Sequence, residues 1–348
     1  MAQETSTLKG QSIIASQQFS EAILDDLFDE ADQMQKMCGY LDNKPIEEEE
    51  KKYFESIRKE MADRKITLLF YEPSTRTWSS FFVAAENLGG RVMPIPPAKQ
   101  FSSVVKGETV KDTIAMFCGY GANVIVMRSD KEGMAGEADK AAKGTGRAVS
   151  IINAGDGAGQ HPTQSLLDLY TIRKFFIHDL GKNIKGEGIN IAFVGDLANG
   201  RTVRSLAYLL NKYLNPKNIM FHFVSPETLK MRDDIKEYLD RKGVKFKEYE
   251  KLVDVAGEID VFYMTRVQKE RLRDIEVDYD YIRQNCSITK GVVEKMSKDA
   301  IVMHPLPRDP AFGEIPEWFD VDPRARYMQQ AENGLYVRMA LLKKVLLG

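Results

Sequence analysis

Hydroxyl and guanidinium side chains are concentrated in the segment EPSTRT, which directly follows a short apolar run. The segment contributes Ser74, Thr75, Arg76 and Thr77 at the start of a helical pattern. Backbone N–H groups at a helix start, the positive end of the helix dipole and a guanidinium together suit a phosphate dianion. The competing interpretation is an ordinary Ser/Thr helix cap beside a surface arginine, which is the better one for a generic segment of this kind.

A second polar segment, QHPTQ, places His161 directly before Pro162 at a helix start, with Gln164 in the first turn. The helix dipole favours a neutral imidazole at this position, where it can donate a hydrogen bond. A lone histidine is more often structural than catalytic, but the chain contains only four. His178 and His222 lie outside polar motifs, which leaves His161 and His304 as candidates.

The segment GDLANGRT has the glycine spacing of a nucleotide-binding P-loop, with Gly195 and Gly200. Arg201, however, stands where that motif requires lysine. A second acidic motif that would support Mg²⁺ and ATP binding is not evident in the sequence. We therefore interpret the segment as a strand, a turn and a helix that presents Arg201.

Arginines also follow other strand-like runs. They are Arg128, Arg266 with Gln268 two positions later, and Arg308. One such arginine means little, because arginines are common at strand ends. Several of them in strand-end loops predict a pocket for highly anionic ligands.

The elements that must position these segments are short apolar runs that alternate with helical patterns. The strand candidates are residues 66–72, 92–95, 123–128, 148–154, 189–196, 219–225, 244–249, 260–265 and 300–308. Residues 161–176 have the pattern of one long helix. Strands separated by helices indicate βαβ units and a parallel sheet, in which ligands bind beyond the carboxyl ends of the strands.

The length of 348 residues favours two domains over one. We expect an α/β fold in which each domain is a doubly wound parallel sheet flanked by helices, with interdomain helices linking the two. The first domain is expected to span residues 1–160 together with a C-terminal helix at 324–348. The second domain is expected to span residues 161–323.

Composition excludes several classes of protein. The 49 basic and 51 acidic side chains give a net charge of −2, which lacks the positive field of a nucleic-acid-binding protein. The three cysteines, Cys38, Cys118 and Cys286, form no pair and no zinc spacing, so we expect reduced thiols and no metal. The polar N-terminal segment and the lack of a long apolar run predict a soluble, cytoplasmic protein without a membrane segment.

Eight segments resemble, in the same order, the catalytic chains of the aspartate carbamoyltransferase family. They are FYEPSTRTWSSF, SSVVKGETVKDT, VIVMRS, NAGDGAGQHPTQSLLDL, VGDLANGRTVRSL, FYMTRVQKER, VMHPLPR and QAENGLYVRMALL. The resemblance extends from about residue 64 to residue 346. Each motif alone is weak, but eight in order are highly specific. Trp78 departs from the family pattern, because bacterial members often have arginine there.

The resemblance implies that the first domain binds carbamoyl phosphate. Ser74, Thr75, Arg76 and Thr77 match the residues that hold its phosphate. Thr77, Arg128 and His161 match those around its carbonyl oxygen, with Gln164 near the carbamoyl nitrogen. Pro305 and Leu306 match backbone groups that position the substrates.

The resemblance also implies how aspartate is bound. Arg201, Arg266 and Gln268 match the residues that hold its two carboxylates. Ser102 and Lys106 match a mobile loop that enters the site of the neighbouring subunit, where Lys106 contacts substrate. Sites shared in this way require an oligomer, and the family's catalytic unit is a homotrimer.

The activity implied is transfer of a carbamoyl group to the amine of L-aspartate, with phosphate released, in pyrimidine biosynthesis. We expect no cofactor, and the sequence leaves open a regulatory or multienzyme partner. One alternative is a carbamoyltransferase that uses ornithine. The ornithine carbamoyltransferase family shares the STRT and HPxQ motifs. It typically has cysteine in place of Pro305, however, and a different amino-acid-binding loop. Another alternative is a non-catalytic family member that binds an anion or a regulatory partner.

Overall fold

The structure is a computed structural model that describes residues 7–95, 107–267, 278–309 and 313–348. The chain divides into two compact units. The first comprises Met1–Leu167 and Glu332–Gly348, and the second comprises Asp168–Ala331. Within the described residues, no helix combines the length and the apolarity needed to cross a membrane.

The first unit is built on a four-stranded parallel sheet with the order β2-β1-β3-β4. Its strands are β1 (Lys65–Phe70), β2 (Arg91–Pro94), β3 (Val124–Ser129) and β4 (Ser150–Asp156). Its helices are α1 (Glu21–Leu41), α2 (Glu48–Met61), α3 (Thr75–Asn87), α4 (Val110–Gly119) and α5 (Met134–Gly144). Every residue of β3 and β4 is buried, as expected for parallel strands covered by helices on both faces.

The second unit is built on a five-stranded parallel sheet with the order β7-β6-β5-β8-β9. Its strands are β5 (Ile189–Val194), β6 (Ile219–Val224), β7 (Lys245–Tyr249), β8 (Val261–Met264) and β9 (Ile301–Met303). Its helices are α7 (Ile184–Glu187), α8 (Arg201–Tyr213), α9 (Asp233–Lys242), α10 (Tyr279–Asn285) and α11 (Lys290–Lys295). Buried aromatic rings, including Phe193, Phe221 and Tyr263, pack within this sheet's core.

The chain passes from one unit to the other at two points, and each point lies within a helix. The two helices are α6 (Pro162–Arg173) and α12 (Tyr327–Leu346). The predicted fold class, two parallel α/β domains with helices linking them, is confirmed.

Several element boundaries differ from the sequence-based expectations. The helix expected over residues 161–176 ends as an α-helix at Arg173 and continues as a π-helical turn at Lys174–Asp179. The strand expected over residues 300–308 is only Ile301–Met303, because His304 begins a proline-rich loop that cannot continue the ladder. Helices α10 and α11 were not predicted, since they are too short to show a clear period.

Candidate active site

The segments predicted to bind carbamoyl phosphate lie at one edge of the first sheet. EPSTRT follows β1, Arg128 lies near the end of β3, and the segment that leads to His161 follows β4. These three strands are neighbours and run parallel, so their carboxyl ends share one edge. The structure therefore brings together the predicted residues of the first unit.

The segment EPSTRT turns directly into helix α3. Ser74 is the N-cap residue and Trp78 donates its backbone N–H to the Ser74 carbonyl oxygen over 3.0 Å. Within the described residues, the Ser74 side chain makes no capping hydrogen bond to α3. The ordinary helix-cap interpretation is therefore not supported. Arg76 is exposed and Thr77 is buried, so the first turn presents both a cation and a hydroxyl.

Arg128 is buried and held in a fixed orientation. Its Nη1 donates to the Ala154 carbonyl oxygen over 3.1 Å, and its Nη2 lies 2.9 Å from the Glu72 carboxylate. Two separate partners on one guanidinium restrict its rotation. Glu72 was not predicted as a site residue, because its place at the start of EPSTRT does not indicate Arg128 as its partner.

A tight loop between β4 and α6 places His161. The two carboxylate oxygens of Asp156 accept the backbone N–H groups of Gln160, over 2.7 Å, and Gly133, over 3.0 Å. At Gly157, φ is +55° and a Cβ would lie 2.4 Å from the Asp130 carbonyl oxygen. Only glycine can bring the backbone of the loop this close to the backbone of Asp130, and this contact keeps the loop against the end of β3.

His161 and Gln164 are both buried in the described part of the chain. The exposed fractions of these residues are 4% and 9%. The His161 Nδ1 lies 3.4 Å from the Thr163 hydroxyl, and the His161 carbonyl oxygen accepts the backbone N–H of Gln164 over 3.0 Å. The start of α6 therefore fixes the position of the imidazole.

The second sheet repeats the arrangement with β5, β8 and β9 as neighbouring parallel strands. Arg201 begins α8 after β5, Arg266 follows β8, and Pro305 and Leu306 follow β9. Arg201 is buried and Arg266 is half-buried. The predicted aspartate-binding arginines therefore follow adjacent strands at the same edge of the sheet.

Glycine allows the loop after β5 to approach the segment after β8. Gly195 has a φ of +109°, and a Cβ on it would lie 2.5 Å from the Thr265 carbonyl oxygen. Beyond it, the Asp196 carboxylate accepts the backbone N–H of Asn199 over 3.0 Å. These contacts fix the turn that leads to Arg201.

The structure leaves three predicted site residues undescribed and gives another a different partner. Ser102, Lys106 and Gln268 lie outside the described residues. Arg308, which was grouped with the anion-binding arginines, forms two contacts with the Asp320 carboxylate, over 2.5 Å and 3.1 Å. This partner raises the pKa of Arg308. Arg308 therefore connects the loop after β9 to the turn that contains Asp320.

The described residues include no cluster of three or more His, Cys, Asp or Glu side chains arranged to hold a metal ion. The functional groups at both sheet edges are instead hydrogen-bond donors and guanidinium groups. Such donors suit substrates rich in phosphate and carboxylate oxygens.

Two family profiles match successive parts of the chain. Residues 11–174 match the family described as aspartate/ornithine carbamoyltransferase, carbamoyl-P binding domain. Residues 187–345 match the family described as aspartate/ornithine carbamoyltransferase, Asp/Orn binding domain. The chain belongs to the aspartate/ornithine carbamoyltransferase family.

Named relatives of this carbamoyltransferase are similar over almost the whole chain. Aspartate carbamoyltransferase 2, chloroplastic, of Pisum sativum is 45% identical over 336 residues, which are 97% of this chain and 79% of the relative. The aspartate carbamoyltransferase catalytic subunit of Clostridium novyi is 43% identical, over 97% of this chain and 99% of the relative.

Solved carbamoyltransferase structures have the same fold. The aspartate transcarbamoylase of Trypanosoma cruzi in complex with N-(phosphonacetyl)-L-aspartic acid matches with a TM-score of 0.82 at 36% identity, covering 98% of both chains. The catalytic subunit of M. jannaschii aspartate transcarbamoylase matches with a TM-score of 0.78 at 40% identity, covering 96% of this chain and 97% of the other.

Proposed function

We propose that this carbamoyltransferase transfers the carbamoyl group of carbamoyl phosphate to the amine of L-aspartate, giving N-carbamoyl-L-aspartate and phosphate. The observation that carries the proposal is the placement of donors at the two sheet edges. The first unit offers EPSTRT, Arg128 and His161, and the second offers Arg201 and Arg266 on adjacent strand ends. Relatives that are 43–45% identical to this chain over the aligned residues are named aspartate carbamoyltransferases.

In the first unit, the proposed ligand is carbamoyl phosphate. The first turn of α3, with Ser74, Thr75 and Arg76, holds the phosphate. Thr77, Arg128 and His161 donate to the carbonyl oxygen, and Gln164 contacts the carbamoyl nitrogen. As the amine attacks the carbonyl carbon, negative charge develops on that oxygen. Each donor aimed at it lowers the barrier by a few kcal/mol, roughly 3 for a well-placed one.

In the second unit, Arg201, Arg266 and Gln268 are proposed to hold the two carboxylates of aspartate. The backbone of Pro305 and Leu306 helps to position the substrates. The amine is the nucleophile and phosphate is the leaving group, whose oxygens can accept the amine proton. The reaction therefore needs no protein nucleophile, and the protein acts by positioning and by electrostatic stabilisation.

The test is turnover with carbamoyl phosphate and either aspartate or ornithine, measured side by side. We expect phosphate release and N-carbamoyl-L-aspartate with aspartate, and background rates with ornithine. Turnover with ornithine alone would show that the amino-acid specificity is wrong. Binding of carbamoyl phosphate without turnover of either amine would favour the non-catalytic alternative. Arg201→Ala is the matched variant, since it should lose aspartate turnover and still bind inorganic phosphate.

We further propose a homotrimer with shared sites, in which Ser102 and Lys106 reach the neighbouring subunit. The supporting observation is the segment SSVVKGET, which resembles the family's mobile loop. The reaction belongs to pyrimidine biosynthesis, and a regulatory or multienzyme partner is compatible with this role. Sedimentation of the purified chain would test the trimer, and a monomeric active enzyme would contradict it.

The proposed location is the cytoplasm. The Clostridium novyi relative, whose name specifies no organelle, supports it. Relatives from Pisum sativum and Arabidopsis thaliana are named chloroplastic, which is the alternative compartment. Fractionation of source cells with an antibody against the chain would distinguish the two.

A further inference from the structure

The loop after β9 contains a residue in an unfavourable backbone conformation. Leu306 has a φ of +52°, in the left-handed region that side-chain-bearing residues rarely adopt. Such a conformation persists only where the surroundings hold it, and it is frequent at functional sites. Pro305 and Leu306 are only half-buried, so the strained backbone is accessible.

The group that holds Leu306 is the imidazole of His304. The Leu306 backbone N–H donates to His304 Nδ1 over 2.8 Å. An Nδ1 atom that accepts a hydrogen bond carries no proton, so the ring proton must be on Nε2. His304 is almost fully buried, with an exposed fraction of 1%.

The Nε2 atom of His304 faces a buried carboxylate. Glu314 is fully buried, and its Oε1 lies 3.2 Å from His304 Nε2. The same oxygen accepts the backbone N–H of Asp309 over 3.0 Å. One carboxylate therefore contacts both ends of the segment from His304 to Asp309. A carboxylate opposite Nε2 favours the tautomer that leaves Nδ1 available to Leu306.

A second polar chain holds the base of the loop. The His304 backbone N–H donates to Gln330 Oε1 over 2.8 Å, and Gln330 Nε2 donates to Asp168 Oδ1 over 2.6 Å. The other Asp168 oxygen accepts from the Tyr263 hydroxyl over 2.7 Å. The backbone of His304 is therefore fixed independently of its ring.

We propose that Glu314, acting through His304, is a positioning residue that sets the backbone of Pro305 and Leu306 for substrate. The carboxylate fixes the tautomer and orientation of the imidazole, and the imidazole fixes the Leu306 N–H. The pair touches no reacting atom. The effect on the reaction rests on the proposed function, in which Pro305 and Leu306 position the substrates.

Two pairs of variants separate positioning from simple packing. In His304→Asn, the side-chain oxygen takes the place of Nδ1 and accepts from Leu306, whereas His304→Ala removes the acceptor. In Glu314→Gln, an oxygen remains for Asp309 and for Nε2, whereas Glu314→Ala removes it. We expect both alanine variants to lower kcat about 100-fold, because small displacements of a positioning group have effects of this size. The conservative variants should stay within about tenfold of wild type.

Binding of inorganic phosphate provides the readout that a purely structural role would change. Its proposed site is in the first unit, so calorimetry should give the same Kd within twofold for all four variants. Asp322→Asn is the matched control, because it removes another carboxylate of the second unit, which pairs with Arg324 over 2.8 Å. It should leave kcat unchanged. Equal losses in His304→Ala and His304→Asn, or phosphate affinity that falls together with kcat, would overturn the proposal.

A spectroscopic measurement tests the pair without any activity. Long-range ¹H–¹⁵N spectra resolve the tautomers of the four histidines, and His304→Asn identifies the signal to assign. We expect His304 to carry its proton on Nε2 in the wild type, and Glu314→Ala to shift it toward a mixture. A wild-type proton on Nδ1 would refute the proposal even if the alanine variants failed to fold. Failure of the proposed aspartate reaction would instead appear as an inactive wild type with the expected tautomer.

Discussion

The Glu72 carboxylate lies 2.9 Å from the guanidinium of Arg128 and connects the end of strand β1 to the end of strand β3. The register of the sheet sets this contact, because Phe70 is paired with Arg128. The Arg128 side chain is 10% exposed and that of Glu72 is 29% exposed. A planar cation held by a carboxylate on one side and by the Ala154 carbonyl on the other keeps a fixed orientation at the end of the strand.

Removing this carboxylate should impair the reaction more than it impairs folding. We expect Glu72→Ala to lower kcat by about tenfold to 100-fold, because the Arg128 guanidinium loses its orientation. Glu72→Gln should lose less, since an amide oxygen can still accept the hydrogen bond. Steady-state kinetics with carbamoyl phosphate varied measures both. A correctly folded Glu72→Ala enzyme with wild-type kcat would show that Arg128 does not depend on this partner.

Arg76 is expected to contribute to substrate binding and catalysis but little to the free energy of unfolding. It is exposed in the first turn of α3, so Arg76→Ala should lower kcat/KM by about 100- to 1,000-fold with a change in unfolding free energy near 0.5 kcal/mol. Arg91→Ala is the matched control. Arg91 begins β2 at the opposite sheet edge, where it pairs with Asp63 over 2.8 Å. If the two variants have the same activity, the phosphate role of Arg76 is wrong.

Shared sites predict that two inactive variants can complement each other. Mixed trimers of Lys106→Ala and Arg76→Ala chains should contain some sites with both wild-type residues, and activity should reappear after subunit exchange. Arg76→Ala mixed with Arg128→Ala is the control, because both residues come from the same chain and no site can regain both. Exchange is confirmed by native mass spectrometry. Exchange without recovery in the first mixture would argue against sites shared between subunits.

The glycine at the end of β5 gives a prediction for the second unit alone. In Gly195→Ala the new Cβ would lie 2.5 Å from the Thr265 carbonyl oxygen, so the loops that carry Arg201 and Arg266 must separate. We expect KM for aspartate to rise about tenfold or more and phosphate affinity to remain unchanged. Gly243→Ala is the control, since its φ is +71° but no atom lies within 4 Å of the position that the new methyl group would occupy. Similar KM values in the two variants would contradict this account.

The succession of strands along the chain and the polar segments after them could be predicted from the sequence, because parallel buried strands are continuous apolar runs. EPSTRT, Arg128 and QHPTQ were therefore assigned to the correct sheet edge from the sequence alone. The order of the strands within each sheet was not predicted. The side chains that pair with these arginines could not be predicted in this way. Arg308 looks like the other strand-end arginines in sequence, but Asp320, which lies in a separate turn, pairs with it.

The same reasoning explains why Glu72 and Glu314 were missed. A single acidic residue in a loop has no period or spacing that indicates its partner, and both partners are set by tertiary packing. Glu314 lies ten positions after His304, beyond a proline-rich turn, and its burial is visible only in the folded chain. Carboxylates that orient other side chains are therefore the part of this site that sequence patterns describe least.

His222 on β6 predicts how stability depends on pH, although it lies outside the proposed site. Its exposed fraction is 1%, its Nε2 lies 3.3 Å from Asn190 Oδ1, and its ring stacks on Tyr249 at 5.6 Å. Burial lowers the pKa of His222 to about 4; the Glu258 charge opposes this shift and that of Lys247 adds to it. The unfolded chain binds this proton near pH 6.5, so the histidine's contribution to stability is complete above that pH.

Acidification should therefore destabilise the protein between pH 6.5 and about pH 4, where the unfolded state binds a proton that folded His222 does not. At pH 4.5 the loss from this group is roughly 2–3 kcal/mol, at about 1.4 kcal/mol for each unit of pKa difference. Urea unfolding at pH 7 and pH 4.5 measures it, and His222→Gln should lose less stability than wild type by that amount. Carboxylates with lowered pKa values, such as Asp320 and Asp322, contribute equally in both proteins and cancel. Identical slopes for wild type and His222→Gln would therefore rule out His222 as the group responsible.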